Sequence, residues 1–215
     1  MKNELKKRIY TSFFIIPLAL FFIIEGSFFF MFFLSLIFLI SIYEWLKITK
    51  KINIFKIIGA IFISFSIYSA YLLRNEQGIY VFLFIIFISI LTDLGGYIFG
   101  KTFKGPKLTK ISPNKTYSGA IGSFLISIIG GLIYFNLLIE DILLNKESYI
   151  TIFIFIFLIS LISQLGDLII SFFKRIANLK NTGKILPGHG GLLDRIDGII
   201  FTIPFSYAIL NYINF

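Results

Sequence analysis

The sequence predicts an all-α, polytopic integral membrane protein, and three observations predict it. Of its 215 residues 57% are hydrophobic and only 14% are charged, whereas soluble domains carry about a quarter charged residues. Apolar runs recur along the whole length, and several reach the roughly 17 to 25 residues that cross a hydrocarbon core of about 30 Å. These runs are continuous and do not alternate in the short segments of a barrel; lipid offers the backbone no hydrogen-bond partners, so each run is expected to be a helix. The chain has no cysteine, which excludes disulfides, thiolate metal sites and a cysteine nucleophile.

About seven spans are expected, with the N-terminus in the cytoplasm. The first, Ile9–Ile24, follows Lys6, Lys7 and Arg8 as a secretory signal would, but no small-residue cleavage site follows, so it is expected to stay attached. The others are Phe28–Leu46, Ile57–Leu73, Gly78–Gly100, Ser118–Ile139, Tyr149–Phe173 and Asp197–Phe215. No internal repeat or linker interrupts them, and residues 1–215 read as one membrane domain, with the motif-bearing catalytic region at about 93–198. The formal net charge of +9 resides almost wholly in alternate gaps: every basic residue except Arg74 and Lys146 lies at the N-terminus or between spans two and three, four and five, or six and seven. The positive-inside rule makes those gaps cytoplasmic, which places a multi-pass protein in the cell (inner) membrane with its active site facing the cytoplasm. The charge therefore addresses membrane lipids and not nucleic acid.

Two carboxylates, Asp93 and Asp167, fall inside spans four and six, where an ionisable group is costly and is a functional candidate by default. Gln164, Asp167, Ser171 and Lys174 share one helix face and form a polar stripe towards the cytoplasmic loop. The alternative is a structural stripe paired with another helix. Asp93 shares a face with Gly96, Tyr97 and Gly100, which would admit either a ligand or a second helix backbone. Glu44 stands beside Trp45 near the end of span two and reads as interfacial anchoring by a snorkelling charge.

The loop before the last span combines basic residues, a Pro-Gly-His-Gly-Gly turn and two carboxylates, Asp194 and Asp197. If the last helix has begun by Asp194, the pair shares a face, and with Asp167 it makes an oxygen-rich site suited to Mg²⁺. Lys174, Arg175, Lys180, Lys184 and Arg195 would then meet a polyanionic substrate, and Gly188, Gly190 and Gly191 would let backbone amides approach phosphate. A positive-inside loop with a local Asp194–Arg195 ion pair fits composition equally well. His189 alone is weak evidence for a site. Gly95–Thr102 satisfies the P-loop pattern literally, but a membrane span precedes it and no helix N-terminus follows, so that reading is rejected.

Ser171, Lys174, Arg175, Lys180 and the run Pro187–Asp197 resemble the signature of the phosphatidate cytidylyltransferase, or CDP-diacylglycerol synthase, family. Gly166–Asp167–Leu168 matches the segment entering that signature. Asp93, Gly96, Tyr97, Gly100 and Lys101 are similar to its earlier segment, and Ser112–Pro113–Asn114–Lys115–Thr116 to its Ser-Pro-x-Lys-Thr motif. Three departures remove negative charge: Asn181, Ile170 and Ser118 stand where the family usually or often has acidic residues or, at the last, glutamate or glutamine. The resemblance implies transfer of the cytidylyl group of CTP to phosphatidate. It implies Asp167, Ser171, Lys174, Arg175, Asp194, Arg195 and Asp197 as catalytic residues, with Asp167, Asp194 and Asp197 holding Mg²⁺ and room kept for a second cation. Asp93, Ser112, Lys115, Thr116, Lys180, His189, Gly190 and Gly191 would bind substrate. Besides CTP, phosphatidate and membrane lipids, a second copy of the chain is kept open as a partner. The rivals are a CTP-dependent lipid-alcohol kinase and, less favoured, a transporter whose Asp93 and Asp167 carry protons or cations.

Overall fold

A computed structural model describes residues 2–50, 53–109, 111–139, 148–188 and 190–213. They form α1 (Lys2–Glu25), α2 (Ser27–Ile48), α3 (Asn53–Glu76), α4 (Gly78–Phe103), α5 (Tyr117–Leu138), α6 (Tyr149–Ile176), α7 (Leu193–Ile196) and α8 (Ile199–Ile213). The fold is all-α and polytopic: α2 to α6 are long and apolar enough to cross a membrane, while α1 and α8 carry the shorter apolar stretches Tyr10–Glu25 and Ile199–Tyr212. All seven expected runs are helical. The last begins at Ile199 and not at Asp197, because α7 makes a separate turn before it and the Asp197 carboxylate accepts the Gly198 N–H at 3.0 Å. Its expected end at Phe215 lies outside the described residues.

Two helices outrun their apolar segments at the motif-bearing end. The last turn of α4 carries Lys101, and that of α6 carries Lys174 and Arg175; cations there are favoured by the negative end of the helix dipole. At the opposite end Arg74 closes α1, donating to the carbonyls of Ile23 at 3.0 Å and Ile24 at 3.1 Å while lying over the Phe30 ring. This accounts for a basic residue outside the basic gaps.

The helices meet through small residues and hydroxyls as well as apolar packing. The α4–α5 pair is the most extensive contact. A Cβ added at Gly95 would collide with the Gly122 carbonyl, and one at Gly119 would stand 2.9 Å from the Gly96 carbonyl. The glycine face beside Asp93 thus receives the backbone of α5, which is how membrane helices without a hydrophobic driving force gain close contact. Buried hydroxyls cross-link the bundle: Ser123 donates to the Thr92 carbonyl at 2.7 Å, Thr92 to Ser160 at 3.0 Å, and Ser66 to the Ile200 carbonyl at 2.7 Å. The main core includes Leu73, Ile85, Ile88, Ile156, Ile159 and Leu210. A second cluster of Trp45, Ile48, Ile63, Ile170, Leu193 and Ile200 lies under α7 and fixes the height of the motif loop.

Candidate active site

Four elements converge on a cavity of about 430 Å³, within the size range of small-molecule sites. Asp93, Gly96 and Tyr97 reach it from α4, Ser112, Lys115 and Thr116 from the α4–α5 connection, and Gln164, Asp167 and Lys174 from α6. Asn181, Asp194, Arg195 and Asp197 close it from the motif loop. Residues separated by about a hundred positions are therefore brought to one place by the fold.

The α4–α5 connection is shaped by local hydrogen bonds. Thr116 caps α5 by accepting the Gly119 N–H at 3.1 Å, and the Lys115 carbonyl accepts the Leu108 N–H at 2.8 Å. Ser118 donates to the Lys104 carbonyl, closing the loop. This turn aims the Lys115 ammonium at Asp167, 2.6 Å away, with a second contact to the Gln164 carbonyl at 3.3 Å. Ser171, one turn along α6, donates to the other Asp167 oxygen at 3.2 Å. Asp167 and Asp197 both line the cavity, from α6 and from the end of the motif loop.

Asp194 lines the cavity and also anchors the motif loop. One oxygen takes the Lys174 ammonium at 2.8 Å, and the other accepts the N–H groups of Thr182 at 2.9 Å and Gly191 at 3.0 Å. Both its oxygens are thus engaged, as both Asp167 oxygens are by Lys115 and Ser171. Among the described residues no three His, Cys, Asp or Glu side chains form a metal-binding group. Asp194 forms its ion pair with Lys174. The N–H groups of Gly190 and Gly191 are also engaged within the loop, by the Leu186 carbonyl at 3.1 Å and by Asp194, and neither glycine lines the cavity. Positive φ at Gly188 and Gly190 instead serves the turn that pairs Leu186 with Gly190.

Arg175 and Lys180 lie outside the cavity lining. Arg175 holds the Ile111 carbonyl at 3.3 Å, and Lys180 is exposed. His189 lies outside the described residues. Two of the three departures find structural roles: Ile170 is buried in the apolar cluster beneath α7, and Ser118 ties the α4–α5 connection. Asn181 lines the cavity. The largest omission concerns Glu44. It is fully buried, not snorkelling, and Trp45 is buried beside it. Its carboxylate accepts the N–H groups of Leu192 at 3.0 Å and Leu193 at 2.9 Å and the Thr182 hydroxyl at 2.7 Å.

Residues 51–213 match the profile of the cytidylyltransferase family. The chain belongs to this family. Its similar relatives include the phosphatidate cytidylyltransferase of Rickettsia typhi, 38% identical over 177 residues that cover 79% of this chain and 76% of that protein. That of Rickettsia prowazekii is 39% identical over 176 residues, covering 79% and 76%. That of Staphylococcus saprophyticus is 40% identical over 137 residues, covering 63% of this chain and 51% of the relative. The cavity and all its lining residues fall within the part of the chain matched by the family.

A cytidylyltransferase site must bring anionic phosphates together, and this one combines Lys115, Lys174 and Arg195 with several carboxylates. The donor set fits a hard divalent cation on two carboxylates. Asp167 and Asp197 line the same cavity, and Mg²⁺ commonly takes one or two carboxylates while leaving its other positions to water and phosphate.

Proposed function

We propose that the chain is a phosphatidate cytidylyltransferase, active on the cytoplasmic face of the inner membrane. A phosphate oxygen of phosphatidate bonds to the α-phosphorus of CTP, the bond from that phosphorus to the oxygen bridging the β-phosphate breaks, and pyrophosphate leaves with CDP-diacylglycerol as the other product. Phosphatidate is anionic near neutral pH and requires no general base to attack. The chain's task is positioning and charge compensation. Lys115, Lys174 and Arg195 face the cavity and can receive phosphate oxygens there, Arg195 by paired N–H donors. Ser171 and Lys115 orient Asp167, and Thr116 holds the turn that carries Lys115. Mg²⁺ bound by Asp167 and Asp197 would supply further positive charge for the phosphates of CTP.

The observation that carries this reading is the convergence of Lys115, Asp167, Lys174, Asp194 and Asp197 on one cavity within the matched region. Its cytoplasmic placement rests on the clustering of Lys and Arg at the N-terminus and in the same alternate gaps as the motif loops. Purified protein supplied with labelled CTP, phosphatidate and Mg²⁺ is expected to form labelled CDP-diacylglycerol and pyrophosphate, with Asp167→Asn inactive. CDP and a phosphorylated lipid would identify a kinase instead, and neither product from folded protein would refute the assignment.

A further inference from the structure

The signature loop is held from outside the region that the family match covers. Glu44 lies on α2, before residue 51, and does not line the cavity. Its two oxygens accept hydrogen bonds from the N–H groups of Leu192 and Leu193 and from the Thr182 hydroxyl. A buried carboxylate is costly unless its oxygens are satisfied, and this one is satisfied by N–H and O–H groups of a single loop. No lysine or arginine forms an ion pair with it among the described residues.

We propose that Glu44 is a positioning residue for cytidylyl transfer: it clamps both ends of the motif loop, fixing Thr182 and residues 192–193, and thereby holds Asp194 and Lys174 in register at the cavity. The inference rests on the function proposed above. Glu44 and Asp194 grip the same two segments. Asp194 takes the Thr182 and Gly191 N–H groups, while Glu44 takes the Thr182 hydroxyl and the next two N–H groups, 192 and 193. Asp194 passes the placement to Lys174 through its other oxygen. The fit of loop to carboxylate is close: a Cβ at Gly183 or Gly191 would run into the Glu44 side chain. Helix α1 adds a further tether, with the Thr11 hydroxyl donating to the Pro187 carbonyl at 2.9 Å.

Two variants test the clamp. Glu44→Gln preserves volume but replaces one acceptor oxygen by an amide that can only donate, against groups that themselves donate; Thr182→Val removes a single donor. Each is compared with the wild-type chain by amide hydrogen exchange across 182–193, with α4 and α5 as internal reference, and by kcat and KM for CTP and phosphatidate. The expected result for Glu44→Gln is exchange faster by about tenfold or more in that loop alone, with kcat/KM lower by about tenfold or more per folded molecule. Thr182→Val is expected to show smaller shifts of the same sign, and the double variant less than the product of the two. Wild-type loop exchange and wild-type kcat and KM in a folded variant overturn the proposal. If Glu44→Gln does not fold, Thr182→Val decides by the same criteria. A wild-type chain that makes no CDP-lipid refutes the activity, and loop exchange then still decides whether Glu44 is the clamp.

Discussion

Replacing Lys174 by methionine removes the charged partner of Asp194 while keeping most of the side-chain volume. The two side chains are 12% and 8% exposed and 2.8 Å apart, so solvent does little to compensate. Breaking a buried pair by deleting one partner costs about 3 to 5 kcal/mol when the remaining charge is stranded. Asp194 is not stranded, because it keeps the N–H groups of Thr182 and Gly191. The loss is then that of one charge-assisted hydrogen bond, about 1.5 to 3 kcal/mol. For a chain of this size that lowers Tm by about 3 to 12 °C. The chain has a single tryptophan, Trp45, which packs edge-on against Phe173 with centroids 4.8 Å apart and belongs to the cluster under α7. Its fluorescence during thermal unfolding in detergent therefore reports on this region. Asp194→Asn added to Lys174→Met removes the unpaired charge and is expected to recover part of the loss, giving a double-mutant coupling of the sign expected for attraction. A Lys174→Met chain with wild-type Tm, or strictly additive effects, would refute the account of Asp194 as a loop-fixing carboxylate.

Asp167→Asn and Asp197→Asn are each expected to raise the Mg²⁺ concentration for half-maximal activity, where residual activity permits, as read from initial rates across a Mg²⁺ titration; unchanged Mg²⁺ dependence in a measurably active variant would remove that residue from the proposed cation site. Gly95→Leu puts a side chain into the Gly122 carbonyl and should cost at least about 1 to 3 kcal/mol by overpacking, measured as a lower Tm, whereas an unaffected Tm would contradict the close α4–α5 contact. The absence of native cysteine makes single introduced thiols unambiguous. Lys180→Cys should react with an impermeant maleimide only in permeabilised cells, and Asn75→Cys at the far end of α3 should react in intact ones; the reverse pattern would invert the topology.

The sequence made the spanning helices legible because burial in lipid imposes the same requirement on every residue of a span: uninterrupted apolarity over a fixed length. Ends were less legible. The start of α8 is displaced to Ile199 by a separate turn at α7, and α4 and α6 continue past their apolar runs because lysine and arginine are compatible with a helix C-terminus. Of the motif residues, Asp93, Lys115, Thr116, Asp167, Lys174, Asp194 and Asp197 line one cavity, whereas Ser171, Arg175, Lys180, Gly190 and Gly191 do not. The hydrogen-bonding assignments within it were not legible. Two oxygens on Asp194 suffice for either a cation or a loop, and only the three-dimensional positions of Lys174, Thr182 and Gly191 show which donors reach them. Glu44 was hidden for a related reason. Its partners lie 138 to 149 residues away, and a lone glutamate beside a tryptophan at a span end carries no local sign that a distant loop will cover it.

The glycine contact between α4 and α5 also determines how the cavity can respond to its occupants. Backbones that approach closely between Gly95 and Gly122 and between Gly119 and Gly96 leave little between them to deform, so these helices are expected to translate or tilt together. Asp93 on one and the Lys115–Thr116 turn at the head of the other therefore constitute a single stiff wall. Facing it are α6, which brings Gln164, Asp167 and Lys174, and the motif loop, which hangs from Glu44, Asp194 and Lys174. A displacement of α4 or α5 would therefore carry Asp93 and the Lys115–Thr116 turn together across the cavity, whereas the motif loop is held by its own separate set of hydrogen bonds.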